Sequence, residues 1–500
     1  MLLNNHTLSR ALRGLLMVGL CHVAAASPAK VEHAVLISVD GMHASDLDQF
    51  IARHPQSTLA TLAAHGRIYS QLRTVYPSDS FPGLLAMITG GQPKSTGIWY
   101  DVSYDRRLAP AGSDCKQHGS VLRFDETLDQ RDPAGQLVIR ESALARDPEQ
   151  ACQAVYPHAA LRVNSLFDVI HQAGGATAWQ DKHPAYEIVQ GPSGHAVDDL
   201  QLPEIGANFE GPHDHGIDKI TASIAKTAAY DRLKMQTLIA QIKAQLQRPR
   251  HGAPSIAGMN MQVLNVAQKR AGYLADGRLS PGLDQAMLDL DGQLHQLLVA
   301  LREQGIASST LLIISAKHGN SPILPSRLQH IDVARLRQAI EAATPGNLAQ
   351  LTADDGALIW LHDPRQKAAL IAALRARHDL GIADIEAPAA AATSARTPDL
   401  LLHTQAGVIY GAPGEDKKAE HGGDSEDDRH VALLVALPGQ DLPPPRRQRS
   451  PALSTSIAPS ILSAFGLSPA SLQAVQQEQT PLLPAWPWPS PASTAAASER

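Results

Sequence analysis

Ser80 is the residue around which chemistry can be built. It stands in Tyr76-Pro77-Ser78-Asp79-Ser80-Phe81-Pro82-Gly83, on a tight, proline-flanked loop ahead of an apolar helix that ends at Thr89-Gly90-Gly91. A hydroxyl is a poor nucleophile at neutral pH and needs a base or a cation beside it. The chain offers both. Val35-Leu36-Ile37-Ser38-Val39 reads as a buried strand that delivers Asp40-Gly41, and Thr310-Leu311-Leu312-Ile313-Ile314-Ser315 reads as another that delivers Lys317-His318-Gly319. His421, followed by Gly422-Gly423, precedes a strand expected over Val431–Leu437. Carboxylate, hydroxyl and imidazole gathered at strand ends make a hard-cation site with a metal-activated serine, which is the chemistry of hydrolysis.

Such side chains need a scaffold that brings strand ends together. Residues 31 to about 100 alternate apolar runs with helical segments, as a strand-helix-strand sheet does. Pro281–Gln304 carries Met287, Leu290, Leu294, Leu297, Leu298 and Leu301 at helical spacing, with Gly305 as its stop, and the strand to Ser315 follows directly. This is a helix-strand unit of a mostly parallel sheet. A helix around Leu161–Ala173 ends at Gly174-Gly175 before a strand begins at Ala176-Thr177-Ala178-Trp179. Residues 102–160 and 193–217 are polar and irregular and read as loop insertions. The run 387–395 reads as a low-complexity loop, and the Pro/Ala/Ser-rich residues 482–500, with Trp486 and Trp488 but no periodicity, as a disordered tail.

The bulk composition restricts the possibilities further. Of 500 residues, 44% are hydrophobic and 18% charged, enough for a large core. The formal charge of −6 becomes −8 without the N-terminal leader, which carries Arg10 and Arg13 and no acid; no basic domain suggests nucleic acid. In that leader, Gly14-Leu15-Leu16-Met17-Val18-Gly19-Leu20 is too short to span a membrane comfortably, and Ala24-Ala25-Ala26 offers a cleavage site before Ser27. Residues 1–26 therefore read as an export signal, with lipidation at Cys21 opposed by the bulky Leu20 before it. Its removal leaves Cys115 and Cys152, either a disulfide across a long surface loop or two buried thiols.

The ordered set resembles the alkaline phosphatase superfamily, most closely its type I phosphodiesterase/nucleotide pyrophosphatase branch, over most of residues 31–470. The resemblance rests on Ile37-Ser38-Val39-Asp40-Gly41, Ser80-Phe81-Pro82 with Thr89-Gly90 and Gly97-Ile98, His318-Gly319, His421-Gly422-Gly423, and a closing helix over Ser456–Leu467 with Pro459 in its first turn. It implies a three-layer α/β/α sandwich with a mostly parallel central sheet, two metal ions, usually zinc, and a Ser or Thr that forms a covalent phospho-enzyme. By position, Asp40 and His318 look like ligands of the ion that activates Ser80, and His421 like a ligand of the second ion.

The departures concern the same site. Lys317 stands where the family has Asp, Asn260 and Leu264 where it has Asp and His, and Gly83 where a transition-state donor Asn follows Phe-Pro. An ammonium coordinates nothing, so fewer than two ions are expected. Lys317 either takes the place of a cation beside Asp40 or is a solvent-facing turn residue. Lys182 and His183, after the strand ending at Trp179, together with Asn260, are candidate substrate contacts. Asp181, Asp427-Asp428-Arg429 and His213-Asp214-His215 are the other places from which polar groups could come.

The reading is an exported, periplasmic or secreted, metal-dependent hydrolase of phosphodiester or pyrophosphate bonds, acting on a small phosphate ester or nucleotide, without a membrane span after cleavage. A phosphomonoesterase or sulfatase of the same superfamily is the alternative within the class, although no Cys stands at position 80 to become formylglycine. A metal-poor binding protein is the alternative outside it. Export predicts a mature chain that starts near Ser27 and carries a Cys115–Cys152 bridge. Intact mass before and after alkylation measures both, and two alkylated thiols without reductant would rule the bridge out.

Overall fold

Seven of eight strands run the same way in the central sheet, because helices return the chain to the same edge each time. The computed structural model describes residues 30–203, 205, 220–246, 252–389 and 394–488. The leader, the His213-Asp214-His215 cluster and residues 489–500 lie outside these. Along the chain the strands are β1 (His33–Val39), β2 (Arg67–Tyr69), β3 (Ala176–Gln180), β4 (Asp199–Gln201), β5 (Ser255–Met261), β6 (Thr310–Ser315), β7 (Leu433–Ala436) and β8 (Arg447–Gln448). Their order across the sheet is β4-β3-β5-β1-β6-β7-β2-β8, with β7 the antiparallel member. The anticipated strand at 431–437 is thus present but reversed against β6.

The central strand β1 is flanked on both sides, Val39 pairing Met261 of β5 and Ser38 pairing Ser315 of β6. Every residue of β1 after His33 is buried, as is all of β5 and β6. Continuous apolar runs of this kind belong to strands covered on both faces. The helices that cover them are α1 (Ser80–Thr89), α2 (Ile224–Leu246), α3 (Val263–Arg270), α4 (Pro281–Glu303) and α5 (Ile457–Ala464). Helices α2, α3 and α4 pack on one another, and α1 packs on α5. In α4 the apolar stripe anticipated from spacing is buried, from Leu283 to Leu301, and Ser280 caps its N-terminus.

Helix α1 is buried along its whole length. Asp79 caps it by accepting from the Phe81 N–H at 3.1 Å, and Gly90 ends it with φ +74°, a left-handed conformation that glycine adopts without penalty. Ser80 is therefore the first helical residue rather than part of a loop. Gly83 has a different reason to be glycine. A Cβ there would lie 2.1 Å from the carbonyl oxygen of Lys317, so the absent side chain lets α1 press directly on the segment after β6.

Several expectations need correction. The helix expected over Leu161–Ala173 is two pieces, Pro157–Ala160 and Leu166–Gln172, because Ser165 and Asp168 form a capping box that sets a new start. Residues 102–160 hold three short antiparallel hairpins tied by the Cys115–Cys152 disulfide, with Cα atoms 5.9 Å apart. The tail is ordered as far as Trp488: Leu483 and Trp488 are buried, Leu483 N–H donates to Ser460 Oγ at 2.8 Å, and Ser463 Oγ donates to the Trp488 carbonyl at 2.7 Å. The two tryptophans are apolar anchors rather than marks of disorder. Residues 329–411 form a unit that the sequence reading did not mark. It is a four-stranded antiparallel sheet (Leu348–Ala353, Gly356–Leu361, Leu400–Thr404, Ile382–Glu386) backed by helices Val333–Ala343 and Lys367–Arg375 around its own core. Its turn at Asp354-Asp355 reaches back toward the end of the central sheet.

The contact at Gly83 can be tested. Gly83→Ala is expected to destabilise the fold by about 1–3 kcal/mol through overpacking against the Lys317 backbone. A thermal midpoint equal to that of the parent would show that α1 can retreat freely.

Candidate active site

Because β1, β3, β5 and β6 are parallel, the residues that follow them meet at one edge of the sheet. These are Asp40, Asp181-Lys182-His183, Gln262 and Lys317-His318. Asp40 is completely buried. Its Oδ2 accepts from the side-chain amides of Gln262 and of Asn260, the latter at 3.2 Å, and lies 3.8 Å from Lys182 Nζ. Its Oδ1 has no hydrogen-bond partner and faces Lys317 Nζ at 3.9 Å.

Lys317 is equally buried, which removes the solvent-facing turn as its role. Its Nζ sits 3.2 Å from both carboxylate oxygens of Asp181 and 4.3 Å from the centroid of the Tyr186 ring. Burial would raise the Asp40 carboxyl, but Lys317 and Lys182 outweigh it and hold the group well below the usual range. For Lys317 burial prevails over Asp181 and Asp40 and lowers the ammonium. Lys182 goes up, since Asp40 and Glu126 overcome its burial. A third pair lies beneath. Lys234 Nζ is 3.4 Å from Asp231 and donates to the Asn260 carbonyl, while Asp231 Oδ2 accepts from the N–H groups of Gln262 and Val263 at 2.7 and 2.8 Å.

Ser80 Oγ lies 3.2 Å from His318 Nε2. His318 Nδ1 is 2.9 Å from the carbonyl oxygen of Gly319, which can only accept, so the proton sits on Nδ1 and Nε2 presents its lone pair to the serine hydroxyl. Burial pushes His318 down to about 4 and keeps the imidazole neutral. A serine hydroxyl is thus hydrogen-bonded to an unprotonated imidazole nitrogen. The His421 ring stacks against His318 with centroids 3.8 Å apart; its Nδ1 is 3.9 Å from Asp79, and its Nε2 is 3.7 Å from Glu420. Ser78 fastens the two loops together, donating to the Gly423 carbonyl at 2.8 Å and accepting from Gly422 N–H at 3.3 Å.

Ser80, Lys182, His183, Gln262 and His421 border a cavity of about 430 Å³. Its wall is rich in carboxyls, including Asp79, Asp101, Asp354 and Glu420, with Lys182, Lys269, Arg270 and Lys417 as cations. Burial raises Asp79 to about 6; burial and then Glu420 raise Asp354 to about 7. Glu420 goes the other way, because Lys269 and Lys417 outweigh its burial.

The anticipated residues fare differently. Asp40, Ser80, Lys317, His318 and His421 stand together. Lys182 faces the cavity. His183 borders it but is turned toward the 102–160 hairpins, 3.5 Å from Asp129 and 3.9 Å from Glu126. Asn260 is outside the cavity wall, its amide directed to Asp40, and Leu264 is core. Asp427, Asp428 and Arg429 are engaged elsewhere, with Ile323 N–H, Ser425 and the Thr74 carbonyl. Tyr186, Lys234, Asp231 and Asp354 were not singled out from sequence. The one available signal was Lys234, set among Tyr230, Met235 and Leu238 on an apolar face.

The donors do not suit a two-ion cage. At the positions where the resemblance leads one to expect ligands, the chain has the ammonium of Lys317, the amide of Asn260 and the apolar Leu264. Among the described residues, no group of three or more His, Cys, Asp or Glu side chains is arranged to hold an ion. Nor is any helix among them long and apolar enough to cross a membrane.

Comparison with known proteins agrees with the fold. The structure resembles wild-type alkaline phosphatase PafA with a TM-score of 0.60, at 13% identity over 88% of this chain and 96% of that one. It resembles murine ectonucleotide pyrophosphatase/phosphodiesterase 5 with a TM-score of 0.55, at the same identity and coverage; an inactive variant of that murine protein has been seen in complex with AMP. No curated protein sequence matches. The superfamily is metal-dependent, which is consistent with a divalent ion in general, while the donor set of this chain departs from it. The model for type I phosphodiesterase / nucleotide pyrophosphatase matches residues 34–425; with Ser80 and His318 at the ends of the expected elements, the chain belongs to that family of hydrolases within the alkaline phosphatase superfamily.

Proposed function

We propose that the chain is an exported hydrolase of phosphodiester or pyrophosphate bonds in small esters or nucleotides, with Ser80 as the nucleophile. The observation that carries this reading is the 3.2 Å contact from Ser80 Oγ to the unprotonated Nε2 of His318, at the mouth of a cavity large enough for a small ester. As Oγ attacks phosphorus, its proton passes to His318 Nε2. The bond from phosphorus to the leaving oxygen breaks, leaving a phosphoryl-serine. The leaving oxygen departs as its anion; water then attacks phosphorus, the phosphorus–Oγ bond breaks, Oγ takes back the proton held at His318 Nε2, and the proton lost from water neutralises the released oxyanion. Lys182 is the cavity cation nearest to Asp40 and is suited to the non-bridging oxygens of the substrate. Several carboxyls share the wall with few free cations, which favours a diester, with one negative charge, over a monoester dianion. The Cys115–Cys152 bridge supports an oxidising compartment.

Two variants and a substrate panel test this reading. Ser80→Ala should abolish hydrolysis of bis-nitrophenyl phosphate while leaving the thermal midpoint unchanged. His318→Asn should lower kcat by roughly 10²–10⁴, the usual contribution of a positioned base. Hydrolysis should be faster for nitrophenyl diesters than for nitrophenyl phosphate, and absent for nitrophenyl sulfate. Near-parent activity in pure Ser80→Ala protein would remove Ser80 from the mechanism, and a preference for the monoester would make the protein a phosphatase.

A further inference from the structure

We propose that this site takes no divalent ion, because buried ammonium groups occupy the place of the cations and His318 alone activates Ser80. The inference rests on the reading of Ser80 as the nucleophile, but its central claim concerns ion binding and can be measured separately. In phosphoryl transfer a bound ion lowers the pKa of the nucleophile and neutralises charge at the reacting group. Both effects require positive charge at the reacting centre, and the carboxylate of Asp40 is where a bound ion would be held. Here that charge is part of the chain: Lys317 Nζ lies between Asp40 at 3.9 Å and Asp181 at 3.2 Å, and Lys182 Nζ is 3.8 Å from Asp40. Asp40 and Asp181 thus each already face an ammonium group of the chain.

Three further observations close the site to a metal. His318 Nδ1 donates to the Gly319 carbonyl and Nε2 lies 3.2 Å from Ser80 Oγ, so an ion taken up at Nε2 would have to displace the serine contact. The Asp40 oxygen not facing Lys317 already accepts two amide donors, from Gln262 and Asn260. The Lys317 backbone is also held in place, while its Nζ is bonded to both carboxylate oxygens of Asp181. Thr74 Oγ1 donates to the Lys317 carbonyl oxygen at 2.6 Å, and α1 presses on the same carbonyl at Gly83, where no Cβ fits. A divalent ion entering between Asp40 and His318 would meet an ammonium fixed in place and would have to break the serine–imidazole contact.

In this arrangement Lys317 is a positioning residue. It holds Asp40 and Asp181 together and sets the charge behind the nucleophile, while Lys182 is the cation that a substrate would touch.

The test uses the exported wild-type protein. After dialysis against a chelator, elemental analysis should find well under one zinc, manganese or calcium ion per chain. Titration with zinc should release no binding heat at the site and should not raise the thermal midpoint. Diester hydrolysis should continue at its initial rate in the chelator and should not increase on adding zinc. Stoichiometric zinc with a raised midpoint overturns the inference whether or not activity is seen. Activity lost in chelator and restored by zinc also overturns it, yet leaves Ser80 as nucleophile intact. Absence of ester hydrolysis under every condition would instead count against the proposed function, with metal content still deciding this question. Lys317→Asp, if it folds, should gain zinc binding that the parent lacks. Lys317→Met should lower kcat at nearly constant KM, whereas Lys182→Met should raise KM; equal loss in both parameters for the two variants would reduce the lysines to structural parts.

Discussion

A carboxylate at the end of the innermost strand is the constraint on which the rest of the site depends. Asp40 follows β1, the strand with partners on both sides, and no water reaches it. Burying an unpaired ionised group is prohibitively unfavourable, so positive charge must be supplied close by. Lys317, Lys182 and the amides of Asn260 and Gln262 answer this need. Their positions follow from the parallel sheet, which ends neighbouring strands at one level. The charge pattern is then repeated one layer out, with Asp181 facing Lys317 and Asp231 facing Lys234. Breaking any one pair leaves a buried charge uncompensated.

Ser80, the proposed nucleophile, is positioned by packing rather than by charge. Helix α1 is wholly apolar apart from its ends, and its burial against α5 fixes the direction in which Ser80 points. Gly83 brings the same helix within contact distance of the Lys317 backbone. The serine and the lysine are thereby locked in register, and His318, one residue after the lysine, meets the hydroxyl. A change in the helix that carries the nucleophile is felt at once in the charge cluster.

Much of this was legible in the residues. β1, β6 and α4 stood out because their apolar patterns are strong, and Asp40, Ser80, His318 and His421 because each adjoins such an element or a glycine turn. The even count left the Cys115–Cys152 bridge as one of two readings, and the structure shows it formed. Other parts were hidden for physical reasons. Lys234 is charged, and a sequence does not distinguish a lysine paired in the interior with Asp231 from one in water. In residues 329–411 the strands Leu348–Ala353 and Ile382–Glu386 are unevenly buried and weakly patterned, and the sheet is defined by pairing across long separations, such as Ala357 with Leu402. Trp486 and Trp488 sit in a proline-rich segment whose composition suggests disorder, while their large apolar surfaces fill a space that only the folded core reveals. The role of Asp354 depends on a turn that approaches the cavity from a separate sheet.

The packing of the C-terminal segment bears on the order in which the molecule can assemble. Arg67, in the edge region of the sheet, donates to the backbone carbonyls of Pro443, Pro445 and Ala485. β1 likewise finds its neighbours only at residue 255 and beyond. A chain made from its N-terminus outward therefore holds its most apolar strand without partners until more than half of it has emerged. The edge around Arg67 stays open until nearly the last described residues arrive. Contacts of such long sequence separation close slowly, and exposed strand edges invite wrong partners meanwhile. The sheet edge at Arg67 is thus closed by contacts that join residue 67 to residues 443–485, among the longest separations in the described structure.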